Sequence, residues 1–189
     1  MSLASDRCMT RYKLLLVALL ASLLALPVSS AMAGGLSAVI NGKSNHVDSR
    51  YEWNEDNYGF GLEYALTSRS RWQKVVMANG FRDSNQEMSY MAGAGLHRRL
   101  LETDRFAGFY IDAGVNAFVM TRKDVNGNRP FPGLLPSVSI GNRHAGFNIT
   151  YLPKKAIEDF MDVRMQDPTL SGILFLQFKV NVDRLLPND

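Results

Sequence analysis

The sequence predicts an eight-stranded antiparallel β-barrel spanning the bacterial outer membrane, and three observations carry that prediction. A secretory leader opens the chain, and an even number of segments behind it alternates between apolar and polar positions. The connections between those segments alternate between short and long, as they do in barrels with short turns at one end and loops at the other.

Arg11 and Lys13 precede the apolar run "LLLVALLASLLALPV", and Ala31-Met32-Ala33 supplies the small residues that a signal peptidase reads. Residues 1–33 are therefore expected to be a removed signal peptide and residues 34–189 a single barrel domain. The run is too short for a spanning helix, and no later stretch offers eighteen unbroken apolar residues. Cys8, the single cysteine, falls in the leader, so no disulfide is expected. Of the formal net charge of +3, Arg7, Arg11 and Lys13 against Asp6 contribute +2, which leaves 3 − 2 = +1 for the rest. That balance, with no basic helix or recognition module, excludes a nucleic-acid partner.

Period-two reading gives candidate strands near 36–46, 58–66, 72–82, 89–99, 106–120, 134–142, 145–152 and 171–182. The second sets Phe60, Leu62, Tyr64 and Leu66 against Gly59, Gly61, Glu63 and Ala65. In the fifth, Phe109, Ile111, Val115 and Val119 oppose Tyr110, Asp112, Gly114 and Asn116, and in the last, Leu174, Leu176, Phe178 and Val180 oppose Gln177, Lys179 and Asn181. One face is apolar and the other small or polar. Connections near 67–71, 100–105 and 142–144 are short, those near 47–57, 121–133 and 153–170 are long, and 83–88 is intermediate. Closure satisfies every backbone group inside lipid. Trp53, Tyr58 and Tyr151 at the long-loop end, and Trp72 and Phe106 at the other, suit two aromatic girdles. The same alternation permits a soluble sandwich or lipocalin-like barrel, which would bury the apolar face instead.

With the N-terminus of the first strand in the periplasm, strands one and three both run outward. His46 and the Asp83–Ser84 pair then emerge at one extracellular rim. A histidine, a carboxylate and a hydroxyl are the parts of a general-base and nucleophile site. The competing reading makes Asp83–Ser84 a turn former and His46 a loop histidine. His97 and His144 fall towards the periplasmic end and carry no role. No spacing of ligands suggests a metal site, and no Gly-rich loop opens a helix for a cofactor phosphate, so neither metal nor cofactor is expected. "KKAIEDFMDVRMQDP" is expected to form one or two helical turns with Ile157, Phe160 and Met161 on one face.

Three stretches carry a family resemblance: "FRDSNQEMSYMAGAG", "PFPGLLPSVSIGN" followed by "FNITYLP", and "WNEDNYGFGLEY". Together they resemble the outer-membrane lipid A palmitoyltransferases of the PagP type, as a divergent member. The resemblance implies transfer of a palmitoyl chain from an outer-leaflet glycerophospholipid to lipid A by a monomer, without a cofactor. Carried over by position, the catalytic residues are His46, Asp83 and Ser84, and the acyl-chain ruler is Gly95. His46 would take a proton from the accepting hydroxyl or from Ser84, Asp83 would orient or charge-stabilise the imidazole, and Ser84 would attack or assist. The chain departs from the family in a shorter stretch before the first strand, a shorter loop after His46, His144 in place of a proline, and "DRLLPND" beyond the last strand. A lipid A deacylase or phospholipase, and a non-enzymatic structural or adhesive barrel, are the alternatives.

Overall fold

Eight antiparallel strands close on themselves in sequence order, β8 pairing with β1. They are β1 (Gly35–Val47), β2 (Asp56–Leu66), β3 (Trp72–Arg82), β4 (Met88–Glu102), β5 (Tyr110–Thr121), β6 (Phe131–Gly141), β7 (Ala145–Pro153) and β8 (Gly172–Asn181). A helix, α1 (Lys154–Met161), follows β7. The computed structural model describes residues 35–66, 68, 70–123, 127–161 and 167–183. The expected signal peptide lies outside these residues, as do most of "DRLLPND" and the side chains of Phe160 and Met161.

The polar and apolar faces are distributed inside out relative to a soluble barrel. Phe60 is 77% exposed, and Leu62, Tyr64, Val115, Phe147 and Leu176 also point outward. Glu63, Asp112, Asn116 and Asn148 are buried. A soluble sandwich or lipocalin would do the opposite; this exterior suits hydrocarbon as solvent. Tyr58, Tyr151, Trp72 and Phe106 are exposed, as girdle residues should be. Trp53 is not one of them: it lies flat against His46. The fifth strand begins at Tyr110, not 106, because Phe106, Ala107 and Gly108 adopt left-handed backbone and turn the chain first.

The interior has two halves. Towards the long loops, Phe81, Met91, Phe118 and Met120 form an apolar cluster, with Met77, Phe131 and Leu135 packed on it. Gly133 makes room for it, since a Cβ there would stand 2.1 Å from the Phe118 ring. Towards the short turns the interior is ionic and opens into a cavity of about 730 Å³. Lys179 Nζ donates to Glu63 Oε1 at 2.7 Å, Asn148 Nδ2 to Glu63 Oε2 at 2.9 Å, and Arg99 Nε to Asp112 Oδ1 at 2.6 Å.

Removing one partner of a buried ion pair strands the other, at a cost of about 3–5 kcal/mol. Lys179→Met should therefore lower the urea midpoint of unfolding clearly, and adding Glu63→Leu should restore much of it. A Lys179→Met variant as stable as the parent would mean that the Glu63 carboxylate is hydrated and the pair contributes little.

Two irregularities matter for the site. Register shifts between Asn41 and Lys43 against β2, and between Asn41 and Ser44 against β8, mark a bulge at Gly42. Before it Val39 and Asn41 are the buried positions; after it Ser44 and His46 are. One extra residue thus turns His46 inward, which strict alternation would have pointed at lipid. The ladder between β6 and β7 runs only from Ser137↔Thr150 to Gly141↔Gly146, so Phe131–Pro136 has no β7 partner. Pro132 and Pro136, which lack an N–H, sit in that stretch.

Candidate active site

His46 and the Asp83–Ser84 turn meet the same dipeptide at the long-loop rim. Asn54 holds the turn: its backbone N donates to Ser84 O at 3.2 Å and its Nδ2 to Asp83 O at 3.0 Å. Glu55 holds the histidine. Its Oε1 accepts from His46 N at 2.9 Å and faces His46 Nδ1 at 3.6 Å, while its carbonyl accepts from Ser44 N at 2.9 Å. The imidazole is buried, its side chain 2% exposed, and the Trp53 ring stacks on it with centroids 5.0 Å apart at 14°. A ring so enclosed keeps one orientation, which a general base requires.

Asp83 is 1% exposed and organises its own turn. Its Oδ1 accepts from Asn85 N at 2.9 Å and Glu87 N at 3.1 Å, and its Oδ2 from Ser89 Oγ at 2.8 Å. Backbone bonds from Asp83 N to Glu87 O and from Gln86 N to Asp83 O close the turn, with Gln86 left-handed at φ 64°. Arg122 Nε stands 3.8 Å from Oδ2 and balances the charge. The expected orienting contact between Asp83 and the imidazole is absent; Glu55 occupies that place. The physical reason is local. An aspartate side chain is short, and here it is consumed by the amides of a five-residue turn, whereas Glu55 enters from the connection just before β2, the strand paired with β1. Ser84 is half-buried beside Asp83 in the same turn.

Gly95 lies on the inner face of β4, as its alternation with Met91 and Gly93 implies. It sits where the apolar half of the interior gives way to the polar half. A Cβ at 95 would stand 2.0 Å from Asn116 Oδ1, 2.8 Å from Val75 Cγ2 and 3.0 Å from His97 Nε2. Asn116 in turn bonds His97 Nε2 at 2.9 Å and Ser137 Oγ at 2.9 Å. A polar layer thus forms the floor at Gly95, and His97, which the sequence left without a role, belongs to it.

Sequence reasoning missed Asn54, Glu55 and the contact of Trp53 with His46. The signal was present in "WNEDNYGFGLEY", but the hydrogen bonds that give the dipeptide its work cross from β1 to the β3–β4 turn.

The chain is similar in sequence to known proteins. The family described as "Antimicrobial peptide resistance and lipid A acylation protein PagP" matches residues 41–161. A protein of Bordetella pertussis named "Lipid A acyltransferase PagP" is 30% identical over 127 residues, covering 64% of this chain and 68% of its own length. One of the same name from Bordetella bronchiseptica is similar to the same extent. Another from Methylobacillus flagellatus is 29% identical over 99 residues, covering 51% of this chain and 52% of its own. A match over most of the barrel, together with eight closed strands, leads to one conclusion: the chain belongs to the PagP family.

Proposed function

We propose that this protein is a lipid A acyltransferase of the outer membrane, moving a palmitoyl chain from an outer-leaflet glycerophospholipid to a hydroxyl of lipid A. The observation that carries the reading is the convergence of His46 and the Asp83–Ser84 turn on Asn54–Glu55 at the mouth of an apolar half-interior ending at Gly95. The relatives' name, lipid A acyltransferase, supports the reaction and its acceptor.

In this reading the long loops and their site face outward, the first 33 residues are an export leader, and the closed barrel acts as a monomer. The eight strands close on themselves, and the one unpaired stretch of the wall, Phe131–Pro136, carries Pro132 and Pro136, which blunt it as an edge for assembly. The acyl chain of the donor enters where β6 lacks a β7 partner and lies among Met77, Met91 and Met120, whose flexible thioethers repack around it. His46 removes the proton from the accepting hydroxyl. That oxygen forms a new ester bond at the acyl carbon, the ester bond to the donor glycerol breaks, and the proton passes to the departing oxygen to give a lysophospholipid. Ser84, on the same rim, contacts the reacting carbonyl or carries the acyl group in transit. Glu55 orients the imidazole, and Asp83 with Arg122 fixes the turn presenting Ser84.

Purified protein in detergent, given phospholipid labelled in its acyl chain, tests the assignment. Label should appear on lipid A, and turnover should depend on lipid A being present. Release of free fatty acid at the same rate without lipid A would make the protein a phospholipase instead.

A further inference from the structure

Residues 167–171, which lead into β8, lie beside the segment that follows His46, because β8 pairs with β1. Asp167, fully buried at 0% exposure, is the point of contact. Its Oδ2 accepts from Ser49 Oγ at 2.5 Å and from Arg50 N at 3.3 Å, and its Oδ1 from Thr169 N at 2.8 Å and Thr169 Oγ1 at 2.6 Å. Ser49 Oγ in turn accepts from Trp53 Nε1 at 2.8 Å, and Trp53 is the ring stacked on His46. Two further bonds clip the same segments together: Ser171 N to Val47 O at 2.9 Å and Ser171 Oγ to Asp48 Oδ2 at 2.5 Å. Asp48 has left-handed backbone, φ 61°, which turns the chain towards the clip.

We propose that Asp167 is a positioning residue for the His46 imidazole, acting through Ser49 and Trp53. The inference rests on the catalytic reading of His46 given above. An ionised carboxylate only accepts, so it fixes the direction of the single Ser49 proton and leaves the serine lone pairs for the indole N–H. The indole is then held by its edge while its face lies flat on the histidine, so the imidazole cannot rotate without breaking the chain of contacts. Burial alone would push the Asp167 carboxyl up, but bonds from Ser49, Thr169 and Arg50 more than offset this and hold it well below the usual carboxylate range. A depressed carboxyl of this kind stays charged above the ordinary carboxylate range and loses its contribution only as pH falls through its own lower value. Asp167 is therefore charged, and its bond from Ser49 intact, through neutral pH. The charged groups facing His46 are Glu55, Arg122 and Asp167.

Trp53 and Trp72 are the two tryptophans, and Trp72 lies at the opposite end of the barrel, so a Trp72→Phe background leaves Trp53 as a single reporter. A protonated imidazole quenches a stacked indole, so emission against pH reads His46 without any catalysis. In that background we would compare Asp167→Asn, Ser49→Ala and Ser49→Thr, as folded barrels, by emission titration and by acyl-transfer kinetics. Burial under the indole holds the imidazole below its ordinary value, so loosening the stack in Ser49→Ala should raise the emission midpoint, and Asp167→Asn, which also removes a carboxylate that favours the protonated ring, should raise it less. Both should reduce kcat about tenfold with KM for the donor little changed, as expected of a misplaced base. Ser49→Thr, which keeps the hydroxyl, should restore both readouts. Emission titrations unchanged in both Asp167→Asn and Ser49→Ala overturn the proposal. A shifted midpoint together with full activity of His46→Ala would support the positioning contact and sink the catalytic reading of His46.

Discussion

Replacing His46 with alanine should reduce acyl transfer by about 10²–10⁴-fold, the range for removal of a positioned general base, while the barrel remains folded. The fold should survive because His46 contributes no sheet ladder through its side chain, and its backbone N keeps the bond to Glu55. Ser84→Ala should cause a loss of similar order if Ser84 touches the reacting carbonyl. Asp83→Asn separates charge from geometry. The amide can keep the bonds from Asn85 N and Glu87 N but no longer balances Arg122. A turn former alone would leave Asp83→Asn near parental activity, whereas a contribution from its charge predicts a smaller but clear loss. The measurements are initial rates on purified protein, with heat-modifiable migration on a gel as the control for folding. Full activity in both His46→Ala and Ser84→Ala would remove the site from this rim.

The second large effect is one of length. From Ser89 at the rim to Gly95 is six residues along β4, about 20 Å at roughly 3.3 Å each, which suits a long extended acyl chain. Gly95→Met should shorten the preferred donor by several carbons and leave the chemistry running, because the rim is untouched. The substitution also meets Asn116 Oδ1 at 2.0 Å, so it should cost stability by about 1–3 kcal/mol as overpacking does. Asn116→Ser in the same chain removes the obstructing amide and keeps the test readable if Gly95→Met folds poorly. A series of defined phospholipids reads the preference. An unchanged palmitate preference in a folded, active variant would dissociate Gly95 from chain length.

The strand count and the alternation of loop lengths were legible because a barrel writes them into period two and turn length. Glu63 opposite Leu62, and Lys179 opposite Phe178, already assign inside and outside once the exterior is taken as lipid. His46 was legible only as a residue near the rim. Its inward orientation depends on the bulge at Gly42, and one inserted residue reverses every side chain beyond it without disturbing composition. The exchange of Asp83 for Glu55 at the imidazole was not legible, since it depends on which carboxylate remains free after the turn amides are satisfied. Asp167 lies 118 residues from Ser49, and no local pattern joins them. Trp53 read as a girdle residue because aromatic residues near strand ends usually are.

The central claim, that this barrel acylates lipid A through the His46 rim, is tested most directly by mass spectrometry of lipid A from cells lacking a lipid A acyltransferase of their own. Cells expressing the parent protein should contain lipid A species heavier by one palmitoyl chain, and cells expressing an equally folded His46→Ala variant should not. Lipid A of unchanged mass in cells carrying the folded parent, or the same heavier species with His46→Ala, would contradict it.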